Sequence, residues 1–358
     1  MIVSSPGATV HDLLVRAITE NVSDLFITAG SPIMFKKDGE IAPADDFRMM
    51  PKDTALIIEE IFRLSGCQAY DEYLKTGDWD FSFSLPGVGR FRINTFRQRN
   101  SMAAVIRVVQ LTLSDTDALG IPPAVLELYK KTKGLVLVTG PAGSGKSTTL
   151  ASLIDLINHR RNCHILTLED PIEYLHNHKM SIVNQREIET DTVSYAKALR
   201  AALRQSPDVV LVGEMRDHET ISIALTAAET GHLVLSTLHT IGAAKTIDRI
   251  IDVFPPNQQQ QVRIQLSTVL QAVVSQQLVP SHSKGRMAVY EVMIVNPAIR
   301  SLIRDSKTHQ IDTLIHAGGT VGMQSLDLAL VDAVKAGHIT RDDAYTYCVN
   351  AEVLSRYI

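Results

Sequence analysis

Between residues 140 and 147 the chain reads Gly-Pro-Ala-Gly-Ser-Gly-Lys-Ser, and this stretch ties the backbone on either side of it to one kind of structure. Glycines at 140, 143 and 145 let the chain turn tightly enough for successive N–H groups to point inward, and a following helix adds the partial positive charge of its N-terminus. Lys146 brings an ammonium to the same place, and Ser147 a hydroxyl suited to Mg²⁺. Such a loop works only between a buried strand and a helix. Both are expected here: Leu135 to Thr139 is an apolar run, and Ser147 to Asn158 sets Leu150, Leu153, Ile154 and Ile157 at helical spacing. The segment reads as a phosphate-binding loop of the Walker A kind, with Gly140, Pro141, Ala142, Gly143, Ser144, Gly145, Lys146, Ser147 and Thr148 as the contacts to a nucleoside triphosphate.

Further apolar runs at His164 to Leu168, Val209 to Val212 and Leu233 to Leu238 alternate with helical segments, which is what a parallel sheet covered by helices requires. The fold class is therefore α/β. After Pro255-Pro256 the pattern predicts a mostly helical chain, so that about 256–358 is expected to be a helical region. The first hundred residues read differently, as a small α+β unit. His11 to Glu20 and Lys52 to Leu64 are helical, Asp24 to Thr28 is a strand, and Asp38-Gly39 turns a hairpin within Ile33 to Ile41. From Trp79 to Val109 apolar residues alternate in the β manner, broken at Pro86-Gly87. Gln110 to Pro123 has linker content, which divides the chain into residues 1–111, a linker at 112–122, and residues 123–358.

At 358 residues, two domains are expected, and 45% hydrophobic with 21% charged residues is an ordinary globular balance. A net charge of −4 leaves no positive excess to attract a phosphate backbone, so nucleic acid is not the expected partner. The 3 cysteines are far apart and form no zinc or disulfide framework, as suits a reducing cytoplasm. Residues 1–11 lack the pattern of an export signal, and no window has the roughly 18 uninterrupted apolar residues of a membrane span.

Phosphoryl transfer needs charge neutralisation and a positioned water, and acids at strand ends can supply both. Leu166-Thr-Leu-Glu169-Asp170-Pro171 ends a strand in two carboxylates. Asp208-Val-Val-Leu-Val-Gly213-Glu214 ends another, like a Walker B strand in which glycine replaces the usual terminal aspartate. Glu214 is expected to polarise the attacking water, with Glu169 or Asp170 taking part in Mg²⁺ or water positioning. The plainer alternative is that these acids only cap loop starts. His232 and His239 flank a strand: His239, followed by Thr240, is placed to sense a γ-phosphate, and His232 to contact the nucleotide, although strand-end histidines are often structural. Among many arginines, Arg92 and Arg107 of the first domain lead as groups that reach the transferring phosphoryl.

Glu169-Asp-Pro-Ile-Glu-Tyr174, Gly213-Glu-Met-Arg-Asp217, Thr226-Ala-Ala-Glu-Thr-Gly-His232 and Leu238-His239-Thr240 occur in one order. Together they resemble the secretion ATPases of type II secretion and type IV pili, in particular the pilus retraction motors. The likeness runs from Ser23-Asp-Leu25 to Ala298-Ile-Arg-Ser-Leu-Ile-Arg304. It implies a RecA-like P-loop NTPase core with a smaller PAS-like N-terminal domain, assembled as a homohexamer that hydrolyses ATP with Mg²⁺. Nucleotide would lie between the domains, with arginines of the N-terminal sheet closing over it. The resemblance further implies work at the cytoplasmic face of the inner membrane, on a pilus platform protein that is the only link to the membrane. An extension ATPase would be its indirect antagonist. A four-cysteine zinc motif, frequent in extension motors, is absent. The helix at Ala298 departs from the retraction pattern at Ser301 and Asp305. A pilus-extension or type II secretion assembly ATPase is the alternative; a RecA-like nucleic-acid translocase fits the charge less well. A GTPase lacks its Asn-Lys-x-Asp base reader here, and a non-catalytic regulator would leave Lys146 and Glu214 idle.

Overall fold

The computed structural model describes residues 9–37, 39–109, 119–282 and 285–358. Within it the chain forms two compact units, residues 1–112 and 113–358. The linker expected at 112–122 lies largely outside the described residues, as does Asp38 of the first hairpin turn.

In the first unit β1 (Asp24–Ile27), β2 (Met34–Lys37), β3 (Glu40–Pro43), β4 (Asp78–Leu85), β5 (Gly89–Gln98) and β6 (Ser101–Val109) make a 6-stranded antiparallel sheet in the order β3-β2-β1-β6-β5-β4. Helix Val10–Thr19 starts at a capping box, in which Thr9 and Asp12 satisfy each other's backbone N–H groups. Helix Pro51–Ser65 buries Ile57, Ile58, Ile61 and Phe62 in a core shared with Phe91, Ile93 and Ile106 of the sheet. Because side chains alternate along a strand, burying Phe91 and Ile93 turns Arg92 outward.

The second unit holds a 7-stranded sheet in the order β13-β12-β7-β11-β10-β8-β9. Its strands are β7 (Gly134–Thr139), β8 (His164–Glu169), β9 (Ile182–Glu187), β10 (Val209–Val212), β11 (Leu233–Leu238), β12 (Leu270–Ser281) and β13 (Gly285–Ile294). All neighbours run parallel except β13, which is antiparallel to β12. Leu135 and Leu137 of β7 enter one apolar core while Val136 and Val138 enter the other. A strand buried on both faces carries no alternation, which is why these runs read as solid apolar blocks.

The hairpin of β12 and β13 corrects the expectation of a mostly helical chain after Pro256. Helix Pro256–Val269 passes directly into β12 at Leu270, with no glycine, proline or asparagine to mark the change. β12 lies between β7 and β13 and is buried along most of its length, so its period was hidden too. Beyond the hairpin the chain is helical again. Asn296 Oδ1 accepts the Ile299 N–H at 2.9 Å and starts helix Pro297–Arg304. Ile299 and Ile303 of that helix are fully buried, each such burial stabilising by about 1.5–3 kcal/mol. Arg300 is not a free surface cation: its Nη1 donates to the Ser267 and Thr268 carbonyls at 2.7 and 2.5 Å, satisfying the last turn of Pro256–Val269. The two departures from the retraction pattern meet each other, with Ser301 Oγ donating to Asp305 Oδ2 at 3.2 Å.

Candidate functional site

β7 delivers the chain into the 140–147 loop, and helix Lys146–Arg160 leaves it. Gly140 has φ 142°, and a Cβ there would lie 2.1 Å from the carbonyl oxygen of Gln276 on β12. Only glycine fits so close an approach. Gly145 caps the helix in the left-handed region, where a Cβ would fall 2.8 Å from Gln276 Nε2. No side chain caps the first turn, so its N–H groups are available to an anion. Ser144 Oγ is buried with no hydrogen-bond partner, a further donor at the same place. Lys146 Nζ donates to the Gly140 and Pro141 carbonyls at 2.9 and 2.8 Å. Burial holds its pKa below the ordinary lysine value, against the pull of Glu214 and Glu173. An ammonium kept under the loop and short of water is poised for a phosphate.

A cavity of about 290 Å³ opens beside the loop and collects Lys146, Ser147, Glu169, Asp170, Glu214 and His239. Glu169 ends β8, where its Oε1 accepts Thr167 Oγ1 at 2.6 Å and Gln185 Nε2 at 3.2 Å. Burial pushes its pKa up and the two hydrogen bonds oppose that. Glu214 stands just past β10, with its Oε1 2.7 Å from Arg216 Nε and 3.1 Å from His239 Nε2. Burial raises this carboxyl as well, but Arg216 and His239 outweigh it and hold Glu214 below the usual value. Among the carboxylates that line the cavity, Glu214 is held toward its ionised form while burial favours the protonated form of Glu169, the kind of divergence that separates acid and base roles.

Gly213, where the usual Walker B aspartate is missing, has a steric cause. A Cβ at this position would lie 2.8 Å from Tyr195 Oη and 3.2 Å from the Leu168 carbonyl oxygen. The Tyr195 hydroxyl occupies the space that a side chain would enter, and the acid of this strand stands one residue on, at Glu214.

The geometry sorts the remaining expectations. Asp170 is exposed at the cavity rim, and Thr148 Oγ1 meets Tyr174 Oη at 2.9 Å. His232 is not brought to the cluster, which corrects its reading as a nucleotide contact within one chain. It precedes β11 at the end away from the loop, where its carbonyl accepts the Gly134 N–H at 3.0 Å and its Nδ1 lies 3.0 Å from the Ala227 carbonyl. Arg92 and Arg107 belong to the first unit, opposite each other on β5 and β6, both exposed. Arg107 Nε also donates to Asp24 Oδ1 at 2.9 Å.

Residues that the sequence did not reveal hold the cluster in place. Gln185 on β9 bonds Glu169 and the Tyr174 carbonyl, and it accepts the His176 N–H at 2.8 Å. Gln276 is nearly fully buried and accepts Thr149 Oγ1 at 2.8 Å. A second cavity of about 350 Å³ borders the loop at Gly145, Thr148 and Thr149 and is walled by Gln276, Met287 and Tyr290. Among the described residues no group of three His, Cys, Asp or Glu side chains could hold a metal unaided. Ser147 and the neighbouring carboxylates are oxygen donors of the sort Mg²⁺ takes together with phosphate oxygens and water.

A phosphate loop after β7 of a largely parallel sheet, with an ionised glutamate past the end of β10, one strand beyond β11, defines the second unit as a P-loop NTPase. The chain belongs to the type II/IV secretion system protein family, which matches residues 7–336. It is 46% identical to the type IV pilus retraction ATPase PilT of Pseudomonas aeruginosa, over 94% of this chain and 96% of that protein. It is 50% identical to a twitching motility protein of Neisseria gonorrhoeae, over 79% of this chain and 76% of the other. A crystal structure of the pilus retraction motor PilT with bound ADP superposes with a TM-score of 0.90 at 47% identity, covering 98% of this chain and 99% of that one.

Proposed function

We propose that this chain is an ATPase that powers type IV pilus retraction as one subunit of a homohexameric ring. The observation that carries the hydrolytic part is the meeting of Lys146, Ser147 and an ionised Glu214 in one cavity, in a chain 46% identical to a retraction ATPase. The loop amides and Lys146 grip the β- and γ-phosphates, and the base enters the larger cavity beside Gly145. Ser147, with Asp170 at the rim, would hold Mg²⁺, which neutralises charge on the phosphate oxygens. Glu214 orients and polarises the attacking water, Glu169 supports it, and His239 reports on the γ-phosphate.

Arg92 and Arg107 suit a role in closing the site. Two arginines opposite each other on an exposed face repel, and Asp24 beside Arg107 offsets only part of that cost. A triphosphate supplied by the ring would satisfy both, and an arginine at the transferring group is worth about 10³–10⁵ in rate. In this reading the ring turns a platform protein at the cytoplasmic face of the inner membrane and opposes an extension ATPase; nucleic acid plays no part. No helix among the described residues is long and apolar enough to cross a membrane.

Deletion in the source organism, scored for pilus number and surface motility, tests the direction of force. Hyperpiliated, immobile cells are expected. Bald cells would overturn retraction in favour of extension.

A further inference from the structure

The β12–β13 hairpin, which the sequence hid, touches both segments that face the phosphates. Gln276 packs against Gly140 and Gly145 and bonds Thr149, so one face of β12 supports the phosphate loop. Ser275 is one residue earlier and therefore faces the other way, where its Oγ accepts the Gly242 N–H at 2.9 Å. Across the ladder Ser275 pairs with Glu291, whose Oε1 accepts the Ala243 N–H at 2.7 Å. Gly242 and Ala243 start helix Ala243–Asp252, and they close the short loop that begins at His239. Thr246 tightens the same loop, bonding Thr240 Oγ1 and the Gly242 carbonyl, each at 2.7 Å.

Glu291 is 8% exposed and does not line the cavity that holds Lys146 and Glu214. A carboxylate buried so deeply is costly unless hydrogen bonds and an opposing charge compensate it. Here the Ala243 N–H and the positive end of helix Ala243–Asp252 compensate it. The return is mechanical, since the segment so anchored carries His239, which is 3.1 Å from Glu214.

We propose that Glu291 is a positioning residue for hydrolysis: by gripping the start of helix Ala243–Asp252 it sets the His239–Gly242 loop, and through His239 the orientation of Glu214. This role rests on the hydrolytic site proposed for the cavity. Four charged or titratable groups share the small cavity that Glu291 faces: Asp312 and His316 of helix Ile311–Ala317, Asp327 of helix Leu326–Lys335, and Lys245. Burial pushes the Glu291 carboxyl up to about 6; the Ala243 hydrogen bond lowers it, and Asp312 and Asp327 raise it. Above that pH the carboxylate is ionised and the grip is complete. Below it the carboxyl takes a proton, the helix start loses its counter-charge, and turnover falls.

The test is steady-state phosphate release against pH for the full chain, with nucleotide affinity measured in parallel using a fluorescent ATP analogue. In Glu291→Leu, kcat at about pH 7.5 is expected to fall ten- to a hundredfold, as displaced catalytic geometry costs, while nucleotide affinity stays within about threefold. Glu291→Gln keeps an acceptor for Ala243 and carries no titrating charge. It mimics the protonated carboxyl, so its kcat at neutral pH should be reduced, though less than in Glu291→Leu, and its kcat relative to the native chain should rise toward one as pH falls through about 6. That ratio cancels any contribution from Glu169, and it decides the matter even if Glu291→Leu does not fold. Native kcat in Glu291→Leu, equal loss of kcat and affinity, or a ratio flat with pH would each overturn the role of Glu291 while leaving the hydrolytic site intact. No phosphate release from the native chain would overturn both.

Discussion

β11 has a histidine just outside each end, and the two sit in different chemistry. His239, at the C-terminal end, lies 3.1 Å from a carboxylate in the cavity that contains the phosphate loop. His232, at the N-terminal end, turns its imidazole to the Ala227 carbonyl and to Thr230 of its own chain. The strand between them, Leu233 to Leu238, is buried throughout, so burial does not distinguish the ends. Parallel packing does. When β7, β8, β10 and β11 run the same way, their C-terminal ends gather on one side, where the following loops and helix N-termini can meet a ligand. The opposite ends gather the connections returning from helices, and those mostly satisfy themselves.

The largest way to test that contrast is to remove the charge at the ligand end. Lys146→Ala is expected to cost about 2–5 kcal/mol of nucleotide binding, as does loss of one partner in a buried charge pair, which is a roughly thirtyfold or greater rise in Kd. Calorimetry with magnesium and ATP measures it. Native affinity in this variant would mean that the loop amides suffice without the ammonium.

Glu214→Gln separates binding from chemistry at the same end. Affinity should be nearly unchanged while kcat falls about 10²–10⁴-fold, the range for loss of a general base. A parallel fall in affinity would show that Glu214 serves the nucleotide or its metal and not the water.

The two histidines then give the smallest and most direct comparison. His239→Ala removes one hydrogen bond to an ionised group, worth about 1.5–3 kcal/mol, so kcat should drop roughly ten- to a hundredfold. His232→Ala should leave nucleotide affinity within about twofold, because its imidazole bonds only its own neighbourhood. Weaker nucleotide binding in His232→Ala would mean that this end meets a ligand in the assembled ring.

Much of the site was legible before any fold was drawn, because the requirements of a phosphate loop are local. Glycines at fixed intervals, a lysine and a hydroxyl at the helix start, and an apolar strand beforehand occur within a few residues of one another, and the acids at 169 and 214 stand directly after apolar runs. What stayed hidden depends on contacts between distant segments. Gln185 and Gln276 are ordinary glutamines until β9 brings one to Glu169 and β12 brings the other to the loop.

From the sequence one could determine that the chain binds a triphosphate, that an α/β unit follows a smaller α+β unit, and which carboxylates stand at strand ends. Backbone turning, helix polarity and strand burial are encoded over short stretches, so they survive being read one residue after another. Only the tertiary structure decided which end of β11 reaches the cavity, that a Cβ at Gly213 would meet the Tyr195 hydroxyl, and that the β12–β13 hairpin backs the phosphate loop. Each of those depends on which atoms lie within a few ångströms across the sheet, and close packing between remote segments leaves no periodic trace along the chain.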